Sequence, residues 1–104
     1  MTTPAAEKKT PIYVGRFAPS PTGPLHFGSL VAAISSYLDA KFNDGLWLLR
    51  VEDLDPPREP AGASELILGQ LFKLGLEWDG EVLYQSTRID AYQSALDELR
   101  QKSL

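Results

Sequence analysis

Two kinds of apolar run alternate along this chain. Ile12-Tyr13-Val14, with Phe17 just beyond, is a short β-branched and aromatic run between Pro11 and Pro19, which reads as a buried strand. Leu46 to Val51 is continuous apart from Arg50 and reads as a strand covered on both faces, as in a parallel sheet. Between them Phe27, Leu30, Val31, Ile34, Leu38 and Phe42 recur at i, i+3, i+4, i+7, the pattern of an amphipathic helix. A second helix carries Ala63, Leu66, Ile67, Leu71 and Leu74 on one side, and a third carries Ile89, Tyr92, Leu96 and Leu99.

Breaking residues punctuate these runs. Pro11 closes a polar segment over residues 1–10, expected to be a flexible tail. The three prolines and one glycine of Ala18-Pro19-Ser20-Pro21-Thr22-Gly23-Pro24 forbid regular structure. Asn43-Asp44-Gly45 ends the first helix, with Gly45 as a left-handed cap, and Gly75 ends the second. Glu52 to Pro60 is acidic and proline-stiffened, Leu76 to Leu83 is loop-like around Asp79-Gly80, and Ser86 or Thr87 is expected to cap the third helix. Strand, helix and strand make one βαβ crossover, expected to be right-handed, in an α/β layered unit over residues 11–104. Two strands alone leave both edges open, so the pattern reads as the opening of a doubly wound sheet.

Composition narrows the chemistry. With 104 residues, 43% of them apolar and 23% charged, the chain has room for one domain and is too apolar to be disordered. It contains no Cys, which excludes disulfides, a thiolate zinc site and a cysteine nucleophile. A single histidine, His26, excludes a histidine-cluster metal site. The net charge of −4 argues against an indiscriminate nucleic-acid binder and leaves room for a local contact surface. No run has the length of a membrane span and the first ten residues lack an apolar signal core, so a soluble cytoplasmic protein is expected.

Two segments are candidates for a site. Arg16 to Ser29 leaves the carboxyl end of the first strand and opens a helix, the place where open α/β sheets bind ligands and where free N–H groups suit phosphate. His26 is a donor there, and Gly28 leaves room for a flat ligand. The plainer reading is a proline turn with a surface histidine. Glu52-Asp53-Leu54-Asp55 leaves the second strand; in a parallel βαβ unit it faces the first segment, placing a carboxylate for an ammonium group opposite an arginine for a carboxylate. Its plainer reading is helix capping and a solvated loop. Tyr13, Tyr37, Trp47 and Trp78 read as packing residues.

Gly15-Arg16-Phe17-Ala18-Pro19-Ser20-Pro21-Thr22-Gly23-Pro24-Leu25-His26-Phe27-Gly28-Ser29-Leu30 resembles the opening of class I glutamyl-tRNA synthetases, with Pro-Leu-His-Phe-Gly-Ser as a variant of their HIGH signature. Leu49 to Glu59, Gly75 to Gly80 and Tyr84-Gln85-Ser86 resemble the same family, and the likeness runs from about Tyr13 to Leu99. His-Phe-Gly-Ser-Leu and Glu-Asp-Leu-Asp-Pro-Pro-Arg-Glu are closest to its short paralogues, which lack an anticodon-binding domain.

The resemblance implies the N-terminal portion of a Rossmann-type catalytic domain. It implies ATP-dependent activation of glutamate, with Mg, and transfer to the queuosine base in the anticodon of tRNA(Asp) by a monomer. Arg16, Phe17, Ala18, Pro19, Ser20 and Glu52 would hold glutamate, with Arg16 on its side-chain carboxylate and Glu52 on its amino group. Pro19, Thr22, Gly23, His26 and Gly28 would hold ATP, His26, Gly28 and Ser29 would be catalytic, and Asp55 and Arg58 would be tRNA contacts. The family's zinc ligands, later glutamate-pocket residues and lysine loop have no counterpart in these 104 residues, so the chain alone is expected to be inactive. Alternatives are a non-catalytic remnant, a weak ATP or glutamate binder, or part of a discriminating glutamyl-tRNA ligase; a general nucleotidyltransferase fits poorly.

Overall fold

The computed structural model describes residues 11–102, so the tail expected over residues 1–10 lies outside the described residues. These form β1 (Val14–Phe17), α1 (Phe27–Phe42), β2 (Leu46–Val51), α2 (Ala63–Lys73), β3 (Leu83–Tyr84) and α3 (Ile89–Gln101). Short 3₁₀ turns at Pro56–Arg58 and Gln85–Arg88 lead towards α2 and α3. The sheet order is β1-β2-β3, with both pairings parallel. Val14 pairs with Leu46 and Phe17 with Leu49, while Arg50 pairs with Leu83. The short β3 lies where the sequence pattern reads as loop: two residues are too few to show an alternation.

The strands are covered on one face, not on both as the apolar run of β2 suggests. Gly15, Phe17, Trp47, Leu49 and Val51 are buried, whereas Arg16, Leu46 and Arg50 between them are exposed. Ile12 and Tyr13 are also exposed and precede the strand. Beyond β3's start, Asp79 extends the pairing along β2. Its N–H donates to the Trp47 carbonyl at 2.8 Å, and its side-chain Oδ2 accepts the Trp47 N–H at 2.8 Å. The Trp47 backbone groups on that edge are thereby paired.

The limits of α1 match its apolar period, but the helix rests on the sheet through a different face. Ala33 and Ala40 are fully buried, with Ser36 and Tyr37 beside them, whereas Val31, Ile34, Leu38 and the terminal Phe27 and Phe42 are exposed. Close approach is the reason. A β-carbon at Gly15 would lie 3.2 Å from the Ser36 carbonyl oxygen and 3.4 Å from the Ala40 β-carbon, so only small residues fit between α1 and β1. Trp47 fills the remaining volume, edge-on to Tyr37 at 5.1 Å and stacked on Phe17 at 6.3 Å, and donates its indole N–H to Ser36 Oγ. In α2, Ala63, Ile67 and Leu71 reach the core, while Leu66 and Leu74 do not.

Both helix stops follow a Schellman pattern. At Gly75 (φ +80°), the Gly75 and Leu76 N–H groups donate to the Phe72 and Leu71 carbonyls. At the end of α1 the left-handed residue is Asp44 (φ 51°), not Gly45. The start of α3 also differs from expectation: Arg88 occupies the N-cap with no side-chain bond, and Ser86 and Thr87 lie in the preceding 3₁₀ turn. Thr87 Oγ1 donates to the Tyr84 carbonyl, and Ser86 bonds Asp53. No helix among the described residues is long and apolar enough to cross a membrane.

Candidate functional site

Parallel pairing brings the carboxyl ends of β1 and β2 together, and the two candidate segments meet there. The Glu52 N–H donates to the Pro19 carbonyl at 2.9 Å, tying the acidic segment to the proline loop. Pro19 and Pro21 are buried, so their rings anchor the loop against the body. Most of the sequence-derived residues then divide between two cavities, while Phe17, Gly28, Glu52, Asp55 and Arg58 line neither.

The first cavity, about 160 Å³, lies on the open face of the sheet. Arg16 and Ala18 line it together with Leu48, Leu49, Arg50, Glu81 and Leu83. Arg50 reaches Glu52 with an Nη2–Oε2 distance of 2.7 Å, both side chains being partly exposed. Arg16 forms no ion pair among the described residues; its one polar contact is a 3.5 Å approach to the Val14 carbonyl. An unpaired guanidinium over largely apolar walls suits a carboxylate, and the Glu52 carboxylate beside Arg50 offers an acceptor for an ammonium group.

The second cavity, about 230 Å³, lies at the start of α1 and is lined by Pro19, Ser20, Thr22, Gly23, Pro24, Leu25, His26, Ser29 and Ile67. His26 is the N-cap: its Nδ1 accepts the Ser29 N–H at 3.2 Å, and Ser29 Oγ accepts the His26 N–H at 2.9 Å. One residue earlier, the Leu25 N–H donates to Gln70 Oε1 on α2 at 3.0 Å. The loop therefore enters α1 held at consecutive residues. Among the described residues no lysine or arginine lines this cavity.

Phe17 is buried in the core against Trp47, so its ring packs the sheet. Asp55 and Arg58 pair with each other at 3.1 Å on the surface, away from both cavities. Gly28 faces the His26 ring: a β-carbon there would meet imidazole Cε1 at 3.2 Å and Nδ1 at 3.3 Å. Among the described residues no group of three or more His, Cys, Asp or Glu is placed to hold a metal, so the family-implied zinc finds no donor set there.

Sequence reasoning missed two contributors and the partner of a third residue. Gln70 follows Ile67 by three residues and Ala63 by seven, a polar residue on the core-facing side of α2, and that position was the available signal. Arg50 interrupts the apolar run of β2 and was readable only as an interruption. Asp53, whose carboxylate accepts from Ser86 N and Oγ at 2.8 and 2.7 Å, depends on contacts 33 residues apart, which no local pattern reveals.

Residues 13–104 match the family model described as tRNA synthetases class I (E and Q), catalytic domain. The Glutamyl-Q tRNA(Asp) synthetase of Vibrio parahaemolyticus is 66% identical over 85 residues, covering 82% of this chain and 29% of the relative. The protein of the same name from Citrobacter koseri is 61% identical over 92 residues, covering 88% and 31%. The chain thus spans about three-tenths of the length of the curated relatives it matches. Among solved structures, the glutamate-tRNA synthetase of Elizabethkingia anophelis superposes with a TM-score of 0.82 at 37% identity, covering 88% of this chain and 20% of that one. A glutamate tRNA ligase from Elizabethkingia meningosepticum, in complex with its amino acid, gives 0.79 at 38% identity, covering 86% and 19%.

Proposed function

The chain belongs to the class I tRNA synthetases of the E and Q type, by its match to their catalytic domain, and from that premise we propose that it carries the first glutamate- and ATP-binding elements of a glutamyl-Q tRNA(Asp) synthetase. One observation carries the reading: the Glu52 N–H to Pro19 bond joins the segment bearing Arg16 and His26 to the segment bearing Glu52, at the carboxyl ends of parallel strands. The identity of 61–66% to relatives of that name supports the choice within the family.

In this reading Arg16 pairs the glutamate side-chain carboxylate and Glu52 takes its ammonium group, with Ala18 on the wall beside Arg16 and Pro19 and Ser20 leading on to the cavity at α1. The free N–H groups at the start of α1, with His26, would receive the ATP phosphates, and a Mg ion would neutralise part of their charge. An oxygen of the glutamate α-carboxylate attacks the α-phosphorus, the bond to the β-phosphate breaks, and pyrophosphate leaves. The glutamyl group then passes to the queuosine base in the anticodon of tRNA(Asp), releasing AMP. In-line displacement needs positioning and charge neutralisation rather than a protein nucleophile, which suits a segment with one histidine and no cysteine. The tRNA and ATP place this work in the cytoplasm.

Among the described residues no lysine or arginine lines the cavity at α1 to meet the transition-state charge, so the 104-residue chain alone is expected to show no glutamate-dependent ATP–pyrophosphate exchange above background. Exchange that disappears in His26→Ala overturns that expectation. Grafted in place of the matching segment of the Vibrio parahaemolyticus relative, the chain is expected to support exchange and charging of tRNA(Asp). Charging of tRNA(Glu) at its acceptor end, with none on tRNA(Asp), assigns it instead to a discriminating glutamyl-tRNA ligase.

A further inference from the structure

We propose that Gly28 and Ser29 are positioning residues that hold the His26 imidazole in one tautomer and one orientation, leaving Nε2–H as its free donor. The proposal deepens the nucleotide-site reading above and rests on it only for the purpose of that donor.

Three hydrogen bonds and one close approach carry it. Nδ1 accepts the Ser29 N–H at 3.2 Å, so this nitrogen is unprotonated and the proton of the neutral ring sits on Nε2. Ser29 Oγ accepts the His26 N–H and donates to the His26 carbonyl, both at 2.9 Å, so the hydroxyl is spent on the cap. That engagement makes Ser29 a support for His26 and not a group that reaches substrate. Gly28 supplies the space: the ring folds back over the helix start at 3.2–3.3 Å from where a β-carbon would stand, so alanine there makes the imidazole give by a few tenths of an ångström and lengthens its bond to the Ser29 N–H. A histidine N-cap is thus built in which one nitrogen serves the helix and the other remains for a phosphate oxygen.

His26 is the sole histidine, so the 104-residue chain labelled with ¹⁵N gives one imidazole spin system. At neutral pH the parent chain is expected to show an unprotonated Nδ1, a protonated Nε2 and a through-hydrogen-bond coupling between Nδ1 and the Ser29 amide nitrogen. Gly28→Ala is expected to weaken the coupling while the Trp47 indole N–H resonance, reporting its bond to Ser36 Oγ, stays in place. Ser29→Ala keeps the backbone donor but weakens the coupling, and Ser29→Thr restores it. A protonated Nδ1, a mixture of tautomers without coupling in the parent chain, or full coupling in a folded Gly28→Ala chain overturns the proposal. Addition of Mg-ATP then tests the underlying reading separately. A shift at Nε2 with the Nδ1 coupling intact supports both, whereas an unmoved Nε2 beside an intact coupling overturns nucleotide binding by this chain and upholds the positioning.

Discussion

At Gly45 a missing side chain decides whether two elements can meet. A β-carbon there would lie 2.8 Å from the Tyr13 carbonyl carbon, because the chain turns into β2 directly beside β1 and the Leu46 N–H donates to the Tyr13 carbonyl at 2.9 Å. The opposing atoms are backbone and cannot swing aside. Gly45→Ala is therefore expected to destabilise the fold by about 1–3 kcal/mol, the usual cost of overpacking, and urea unfolding followed by Trp47 fluorescence measures it. An unchanged midpoint sinks the argument. Sequence reading marks Gly45 as special for the wrong reason: its place after Asn43-Asp44 suggests a left-handed residue, yet Asp44 takes that conformation and Gly45 answers to a neighbour 32 residues earlier. The candidate site is similarly half legible. Arg16, Glu52 and His26 stand out by type and place, whereas Gln70 and Arg50 gain meaning only once their partners are located.

At the scale of elements, Asp53 fastens the turn before α3 to the end of β2. Burial raises its pKa, but the Ser86 hydroxyl and N–H favour the charged form more strongly, and the net shift is downward. A carboxylate whose folded pKa is depressed contributes stability that is fully present above its unfolded value of about 3.9 and is lost as pH falls through the lower folded value. The tie is expected to hold at neutral and mildly acidic pH and to release below about pH 4, seen as coincident titration of the Asp53 carboxylate carbon and the Ser86 amide. Asp53→Asn is expected to remove that coincident step; a Ser86 amide that still titrates in the same window overturns the assignment. For α1, the period located the helix but not its buried face. Five large apolar residues form the exposed stripe, because the sheet side admits only Ala33, Ser36 and Ala40 above Gly15.

Across the whole molecule the order of the parts is uneven. Trp47, Leu49 and Val51 on the central strand are at most 2% exposed, whereas no residue of α3 is buried, and its Ile89, Tyr92, Leu96 and Leu99 face solvent. Backbone bonds shielded on the central strand open only with the fold, while those of an unpacked helix open locally. Hydrogen exchange is expected to leave the described amides of α3 the least protected of the three helices and those of β2 the most protected. Equal protection of α3 and β2 contradicts the reading.

The amino-acid sequence by itself determined where α1 and β2 lie, where α1 and α2 stop, and which residues have the chemistry for a carboxylate, an ammonium group and a phosphate. Those features depend on local spacing, on breaking residues and on side-chain type, all of which act within a few positions. Tertiary structure alone decided which stripe of α1 is buried, that the sheet is covered on one face, and that Asp79 pairs with Trp47 along the β2 edge. Each of these is set by the distance between surfaces that meet in space. A period along a helix specifies which residues share a side; the room left above Gly15 and beside Trp47 selects the side that packs.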